Sequence, residues 1–327
     1  MGNTVTDIII KPACSVVIRC YNEEKHIGRL ISGILAQTVK DVEIIVVDSG
    51  SNDATLSIAS RYPVKIVTIK HEDFSFGYSL NVGCAAGSGD FLVIASGHVY
   101  PVYEDWLEKL LAPFADRKVA VVYGKQCGNE TTKYAEHRIF AQWFPEISNP
   151  NQKHPFCNNA NAAIRKDVWE SLPYDEELTG IEDIDWAKRA LERGYRIAYN
   201  ADAEVIHVHH ETLGRIFNRY RREAIAFKRI FPQEHFSLYD FIRIYASNVV
   251  SDGFHAWHDR IFMRTFYDIL VFRLMQFWGT YRGFSQHSAV TSQMKRKFYY
   301  PNERPKAKQG QTHSASDRKI DYSHKSL

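Results

Sequence analysis

Long apolar runs are missing from this 327-residue chain. No stretch approaches the roughly 18 apolar residues of a membrane-spanning helix, which leaves lying on a membrane as the one lipid contact to consider. Cysteine is scarce. Cys14, Cys20, Cys84, Cys127 and Cys157 make an odd set of five without a Cys-x-x-Cys pair. A disulfide framework and a thiolate zinc knuckle are therefore disfavoured, and a reducing, cytoplasmic setting is expected. Met1–Pro12 lacks the apolar core of a signal peptide. No Gly-x-Gly-x-x-Gly follows the first apolar run and no Gly-x4-Gly-Lys-Ser/Thr occurs anywhere. That argues against a dehydrogenase and a P-loop nucleotide triphosphatase. A basic body is missing too: the formal charge is +3, but the segment from Ser285 onward carries +6 and the preceding residues −3. A mildly acidic body argues against nucleic acid as a partner.

What is present is a composition of 45% hydrophobic residues, enough for one large domain or a domain with an appendage. Ala13–Ile18, Val42–Val47, Val64–Ile69, Phe91–Ala95 and Val119–Tyr123 read as buried strands. Ile27–Leu35, Ala54–Ser60, Phe76–Ala86 and the Trp106–Leu111 stretch read as helices between them. Strand–helix alternation predicts an α/β fold with a mostly parallel sheet flanked by helices. Residues 124–155 read as an irregular excursion, Phe156–Arg165 as a strand, Asp183–Arg193 as a helix, and Arg196–Asn200 and Val205–His209 as two short strands. Arg215–Ile230 reads as a basic helix, and Phe241–Val250 and Trp257–Phe277 as amphipathic helices. The expected organisation is a catalytic domain over 1–235, a helical extension over 236–284, and a basic flexible tail over 285–327.

Four clusters carry chemistry. Asp48 and Asp53 follow a strand end, with His98 past another, the edge of an open α/β sheet where ligands bind; helix capping is the competing account of Asp53. Glu182, Asp183 and Asp185 stand at a helix start, where one can accept a proton from a hydroxyl, and where capping or an ion pair with Lys188 or Arg189 would equally place them. His207 and His209 share one side of a strand while His210 opposes them, a spacing that suits a divalent ion or a polar strand end. Arg215, Arg219 and Arg222 share a helix face suited to a diphosphate, an anionic acceptor, anionic lipid or solvent.

Ala13–Glu24, with Arg19-Cys20-Tyr21-Asn22-Glu23-Glu24, resembles the opening strand and loop of family 2 glycosyltransferases of the GT-A fold. Glu43–Thr55, with Val46-Val47-Asp48-Ser49-Gly50-Ser51-Asn52-Asp53, continues the resemblance, as do Trp106-Leu107 and Glu182-Asp183 in order. It spans about residues 13–230. The resemblance implies a GT-A nucleotide-diphospho-sugar transferase with a helical C-terminal extension. Arg19, Tyr21, Glu23 and Asp48 would then contact base and ribose, Asn81 would approach the donor, Asp183 would be the inverting base, and Glu182 would orient the acceptor or support the loop. His98 stands where the family commonly has the last aspartate of Asp-x-Asp, as in rhamnosyltransferase-like members, and His209 resembles a further metal ligand. Two readings follow: His98 and His209 hold a divalent cation, Mn2+ in preference to Mg2+, or His98 meets phosphate while Arg219 or Arg222 replaces the metal's charge. Trp186 and the asparagines of Phe156–Arg165 would neighbour an acceptor sugar, with packing and turn formation as the competing account. The implied reaction moves a sugar from a nucleotide sugar to a saccharide or lipid-linked saccharide acceptor in bacterial surface polysaccharide synthesis. The basic tail and amphipathic helices would hold the enzyme at the inner membrane face or form a homodimer surface. A non-catalytic nucleotide-sugar or polysaccharide-binding module is the alternative.

Overall fold

The computed structural model describes residues 12–209 and 211–299. Met1–Lys11, the N-terminal stretch read for a signal peptide, lies outside the described residues, as do His210 and the tail from Tyr300 onward. In chain order the elements begin β1 (Cys14–Cys20), α1 (Ile27–Leu35), β2 (Val42–Asp48), α2 (Thr55–Ala59), β3 (Lys65–Thr68), α3 (Phe76–Ala86) and β4 (Phe91–Ser96). Then come β5 (Val99–Pro101), α4 (Trp106–Leu111), β6 (Val119–Cys127), α5 (Tyr134–Trp143), β7 (Asn149–Gln152), β8 (Asn161–Arg165), α6 (Lys166–Ser171) and α7 (Glu182–Glu192). β9 (Arg196–His207), α8 (Leu213–Ile230), α9 (Leu238–His258), α10 (Phe262–Phe284) and α11 (Ser292–Tyr299) complete the described chain.

The strands form one sheet in the order β3-β2-β1-β4-β8-β6-β9-β5, with β7 pairing β9. β3, β2, β1 and β4 run parallel to one another, as their apolar runs predict for strands covered on both faces. Val16, Ile18, Ile44 and Val46 pack with Ile27, Leu30 and Ile31 of α1 and Trp106 of α4. Val17, Ile45 and Val47 point the other way, toward Tyr78 and Val82 of α3. Beyond β4 the sheet is mixed, because β8 runs antiparallel to both β4 and β6. Register places Cys20 beside Asp48 and Arg19 beside Ser96, so three parallel strands end together at one edge.

Several expected elements differ in extent. The excursion 124–155 contains α5 and β7, and the expected strand Phe156–Arg165 begins only at Asn161. Its first half is a loop, with Asn158 and Asn159 bonded to the chain around them. The two short strands expected near 200 are one, β9, held by pairing with β6 on one side and with β5 and β7 on the other. The helix expected across Trp257–Phe277 is broken after His258. There Arg260 takes φ 59° and the chain reverses. The reversal lays α10 along α8, where Cβ atoms on Gly279 and Gly283 would meet the carbonyl oxygens of Phe217 and Arg221 at 2.5 Å each. No larger residue permits that approach. A buried Arg273–Asp252 ion pair at 2.7 Å ties α10 to α9. The tail expected from Ser285 instead carries α11, which packs on α8 with Phe298 buried.

Candidate active site

A cleft of about 830 Å3 opens at the shared strand edge. Its floor begins with the loops after β1 and β2, which are stitched together. Asn22, at φ 57°, donates its backbone N–H to Ser51 Oγ at 2.9 Å and accepts from Asn52 N–H at 2.9 Å. The Glu23 N–H donates to Thr55 Oγ1 at 2.7 Å, and the Glu24 N–H to Asp53 at 3.2 Å. Asp53 also accepts the Thr55 N–H at 2.9 Å, and these bonds outweigh burial to lower its pKa. Tyr21 lines the cleft beside the His71 ring, with centroids 5.5 Å apart.

Four of the residues expected to contact the donor have partners within the protein, and two of them, Arg19 and Glu23, also line the cleft. The Asp48 carboxylate is buried and accepts the N–H groups of Gly50 and Ser51 at 2.9 and 3.0 Å, so it shapes the turn after β2. Glu23 accepts from His98 Nδ1 at 2.7 Å and so orients that imidazole from the cleft floor. Arg19 pairs with Glu182 at 3.3 Å, and its guanidinium lies 5.0 Å from the Phe76 ring centre. Asn81 does not line the cleft: it accepts from Trp169 Nε1 and the Tyr174 N–H and donates to the Tyr174 carbonyl and Glu176. Those four bonds use the whole amide.

On the opposite wall three histidines converge. β5 pairs with β9 so that Val99 faces His207, which sets His98 over His207 with ring centroids 5.1 Å apart. His207 and His209 project from the same side, as their spacing predicts, with Nε2 atoms 2.9 Å apart. The Nδ1 of His207 meets Gln126 Oε1 at 2.8 Å and that of His209 meets Glu136 Oε1 at 2.7 Å. Acceptors at both Nδ1 atoms assign the protons there and leave two Nε2 lone pairs face to face, an arrangement that a cation between them relieves. One ligand atom from each of His98, His207 and His209 lies within 4.8 Å of the others. The cluster thus fits a divalent ion by donor chemistry as well as by position, with Glu23, Gln126 and Glu136 orienting the rings from behind. Burial, with His209 and His98 adding to it, pushes the His207 pKa well down and keeps that ring neutral. For His98, burial acts downward but the Glu23 carboxylate outweighs it, so its pKa is raised.

Arg215, Arg219 and Arg222 all reach the cleft. Arg219 is neutralised between Glu211 at 2.6 Å and Glu136 at 3.1 Å, so it is ill placed to substitute for a metal's charge. Arg222 lies 4.3 Å from the Phe76 ring centre.

The carboxylates occupy the cleft wall formed by the start of α7. Ile181 precedes them at φ 49°, a left-handed conformation that a β-branched residue rarely takes and that aims the first turn into the cleft. Asp183 accepts the N–H groups of Asn159 at 3.0 Å and Ile184 at 2.8 Å. Burial first, and the adjacent Glu182 second, push its pKa up to about 7. Asp185 turns away to Arg189 at 2.7 Å, as the helix start predicts. Trp186 is buried, with Nε1 donating to the Leu172 carbonyl, and does not line the cleft. Asn161 is likewise structural, bonded to Trp106, Lys125 and Ala203. Sequence reasoning missed Glu136 behind His209 and, in the cleft lining, Glu211, Glu223, Phe74, Phe76 and Tyr299. Only Glu223, four residues past Arg219 on the same helix face, carried a usable spacing.

A family model described as Glycosyl transferase family 2 matches residues 15–172. The O-antigen chain rhamnosyltransferase WbaN of Salmonella anatum is 31% identical over 221 residues, covering 64% of this chain and 70% of that protein. The O-antigen chain rhamnosyltransferase RfbN of Salmonella typhimurium is 28% identical over 218 residues, covering 63% and 69%. In fold the chain resembles a mannosyltransferase from Pyrobaculum calidifontis, solved in complex with GDP-Man and Mn2+. The TM-score is 0.54 at 17% identity, over 90% of this chain and 89% of that one.

Proposed function

The chain belongs to glycosyl transferase family 2, and from that premise we propose inverting transfer of a sugar from a nucleoside-diphosphate donor, with Asp183 as the base. One observation carries the reading: a buried carboxylate with a pKa near 7 shares a cleft with a three-histidine cluster. The carboxylate suits proton removal and the histidines suit a diphosphate-bound cation. In the reaction, Asp183 takes the proton of an acceptor hydroxyl as its oxygen bonds to the anomeric carbon. The bond from that carbon to the diphosphate breaks, and its electron pair leaves on the phosphate oxygen. Glu182, paired with Arg19, keeps a second negative charge beside Asp183 and so supports its proton affinity. His98, His207 and His209 would hold the cation, Mn2+ in preference to Mg2+ because all three donors are imidazoles. When bound, it would supply charge neutralisation of the departing diphosphate.

The names of WbaN and RfbN support a rhamnosyl donor and an acceptor in O-antigen-type surface polysaccharide synthesis, either a saccharide or a lipid-linked saccharide. No helix among the described residues is long and apolar enough to cross a membrane. Phe254, Trp257, Met263 and Tyr267 nevertheless stand exposed around the α9–α10 reversal, with Arg260 and Arg264 beside them. That mixture supports docking on an anionic inner-membrane surface at its cytoplasmic face. A homodimer would be the competing use of the same face. The test of the reaction is a nucleotide-sugar panel including dTDP-rhamnose, GDP-mannose and UDP-hexoses, run with Mn2+, Mg2+ or EDTA on wild type and Asp183→Asn. Metal-dependent transfer by wild type and not by the variant is expected. Equal transfer by the variant would remove Asp183 from the mechanism.

A further inference from the structure

Outside the residues matched by the family model, α11 returns the chain to the cleft. It is anchored just before its start and again near its end. Arg221 bonds Gln286 at 3.0 Å and Lys228 bonds the Phe284 carbonyl at 2.9 Å, while the buried Phe298 ring lies 5.6 Å from the Arg221 guanidinium. These contacts deliver Tyr299 to the cleft lining. There its ring meets Phe74 and Phe76 edge to face, at centroid separations of 5.2 and 5.5 Å. Arg19 and Arg222 both lie over Phe76. The Tyr299 hydroxyl is shielded from solvent and has no hydrogen-bond partner among the described residues, and the same holds for Nε of Arg19 and of Arg222. A buried hydroxyl without a partner costs stability in the free protein, so its location calls for a polar ligand group. Burial pushes its pKa up to about 12, which keeps the phenol neutral and able both to donate and to accept.

We infer that Phe74, Phe76 and Tyr299 form the wall of the acceptor subsite, and that Tyr299 binds the pyranose ring whose hydroxyl Asp183 deprotonates. Resting on the glycosyl-transfer reading, this assignment adds a binding residue that the C-terminal helix supplies. The position favours acceptor over donor. Phe76 is tied through Arg19 to Glu182, next to the base. A pyranose matches the chemistry because its C–H face packs on aromatic rings while its hydroxyls meet buried donors. A free oligosaccharide and a lipid-linked one present the same ring.

The test is saturation-transfer NMR on the full chain with methyl and octyl glycosides of glucose, galactose, mannose and rhamnose. Wild type is expected to bind at least one. Tyr299→Ala should weaken that binding about 10-fold or more, and Tyr299→Phe, which removes only the hydroxyl, by roughly 3-fold to 10-fold. Better binding of octyl than methyl glycosides would point to a lipid-linked source, and equal binding to the sugar alone; both support the subsite. No binding of any glycoside by wild type, unchanged binding in both variants, or loss of nucleotide affinity together with glycoside affinity would overturn it. Nucleotide release from the donor panel reads glycosyl transfer separately. Release without Tyr299-dependent glycoside binding refutes the subsite alone.

Discussion

Asp183→Asn exchanges a buried carboxylate for a neutral amide of nearly the same shape, and its effects on rate and on stability should have opposite signs. The folded protein raises the Asp183 pKa from 3.8 to about 7, chiefly by burial and then by Glu182. That shift of about 3 units corresponds to about 4 kcal/mol by which the fold disfavours the charged form. The folded state binds the proton more tightly than the unfolded one between these values. Stability contributed by the protonated form is therefore full below about pH 4, falls as pH rises, and is gone above about pH 7. The amide carries no such penalty. It does surrender one acceptor, because the N–H groups of Asn159 and Ile184 each address a different carboxylate oxygen; that costs about 1–3 kcal/mol. Net stabilisation of the variant by about 1–3 kcal/mol is expected at pH 8, shrinking to nothing near pH 5. Urea denaturation of both proteins at pH 5, 6, 7 and 8 measures it. Transfer should fall by about 100-fold to 10,000-fold, and wild-type kcat/KM should decline below about pH 7. Parallel stability curves across that range would refute the raised affinity and with it the physical case for Asp183 as base.

Three further outcomes are expected. Mn2+ at about 100 times its Kd should stabilise wild type by about 2.7 kcal/mol over the EDTA-treated protein, and His209→Ala should lose that gain in thermal-shift measurements; an equal gain in the variant would move the metal elsewhere. Asp252→Ala leaves Arg273 as an unpaired charge among α5, α9 and α10, where both partners are 4% exposed. It should cost about 3–5 kcal/mol in urea denaturation, and the Asp252→Leu, Arg273→Met double variant clearly less. Trp257→Ser combined with Met263→Ser should reduce co-sedimentation with vesicles containing phosphatidylglycerol without changing turnover of a soluble acceptor. If the double variant still sediments like wild type, the α9–α10 reversal is not the docking surface.

The parts of this molecule legible in the sequence are those in which neighbours along the chain fix the outcome. Continuous apolar runs gave β1, β2 and β4 their buried positions, and the helix start at Glu182 separated Asp183 from Asp185 as its periodicity required. His207 and His209 face one way because strand geometry alternates. The site is harder, since an Asp, Glu or Asn at a strand edge has the same chemistry whether a ligand or the protein satisfies it. Asp48, Glu23 and Asn81 stand where ligand contacts are expected, and turn N–H groups, an imidazole, and Trp169, Tyr174 and Glu176 are their partners within the protein. Glu136 was hidden for a different reason: it lies 73 residues from the His209 it orients, on a helix inside an apparently irregular stretch. Tyr299 sits in a polar, basic segment without apolar periodicity, and only the packing of α11 on α8 carries it to Phe76. The metal cluster combines both cases. His98 and His209 were the expected pair, and strand alternation set His207 on the side of His209, but only the antiparallel register of β5 on β9 brings His98 to both. A motif therefore fixes where a side chain points, and the sheet order decides what it meets there.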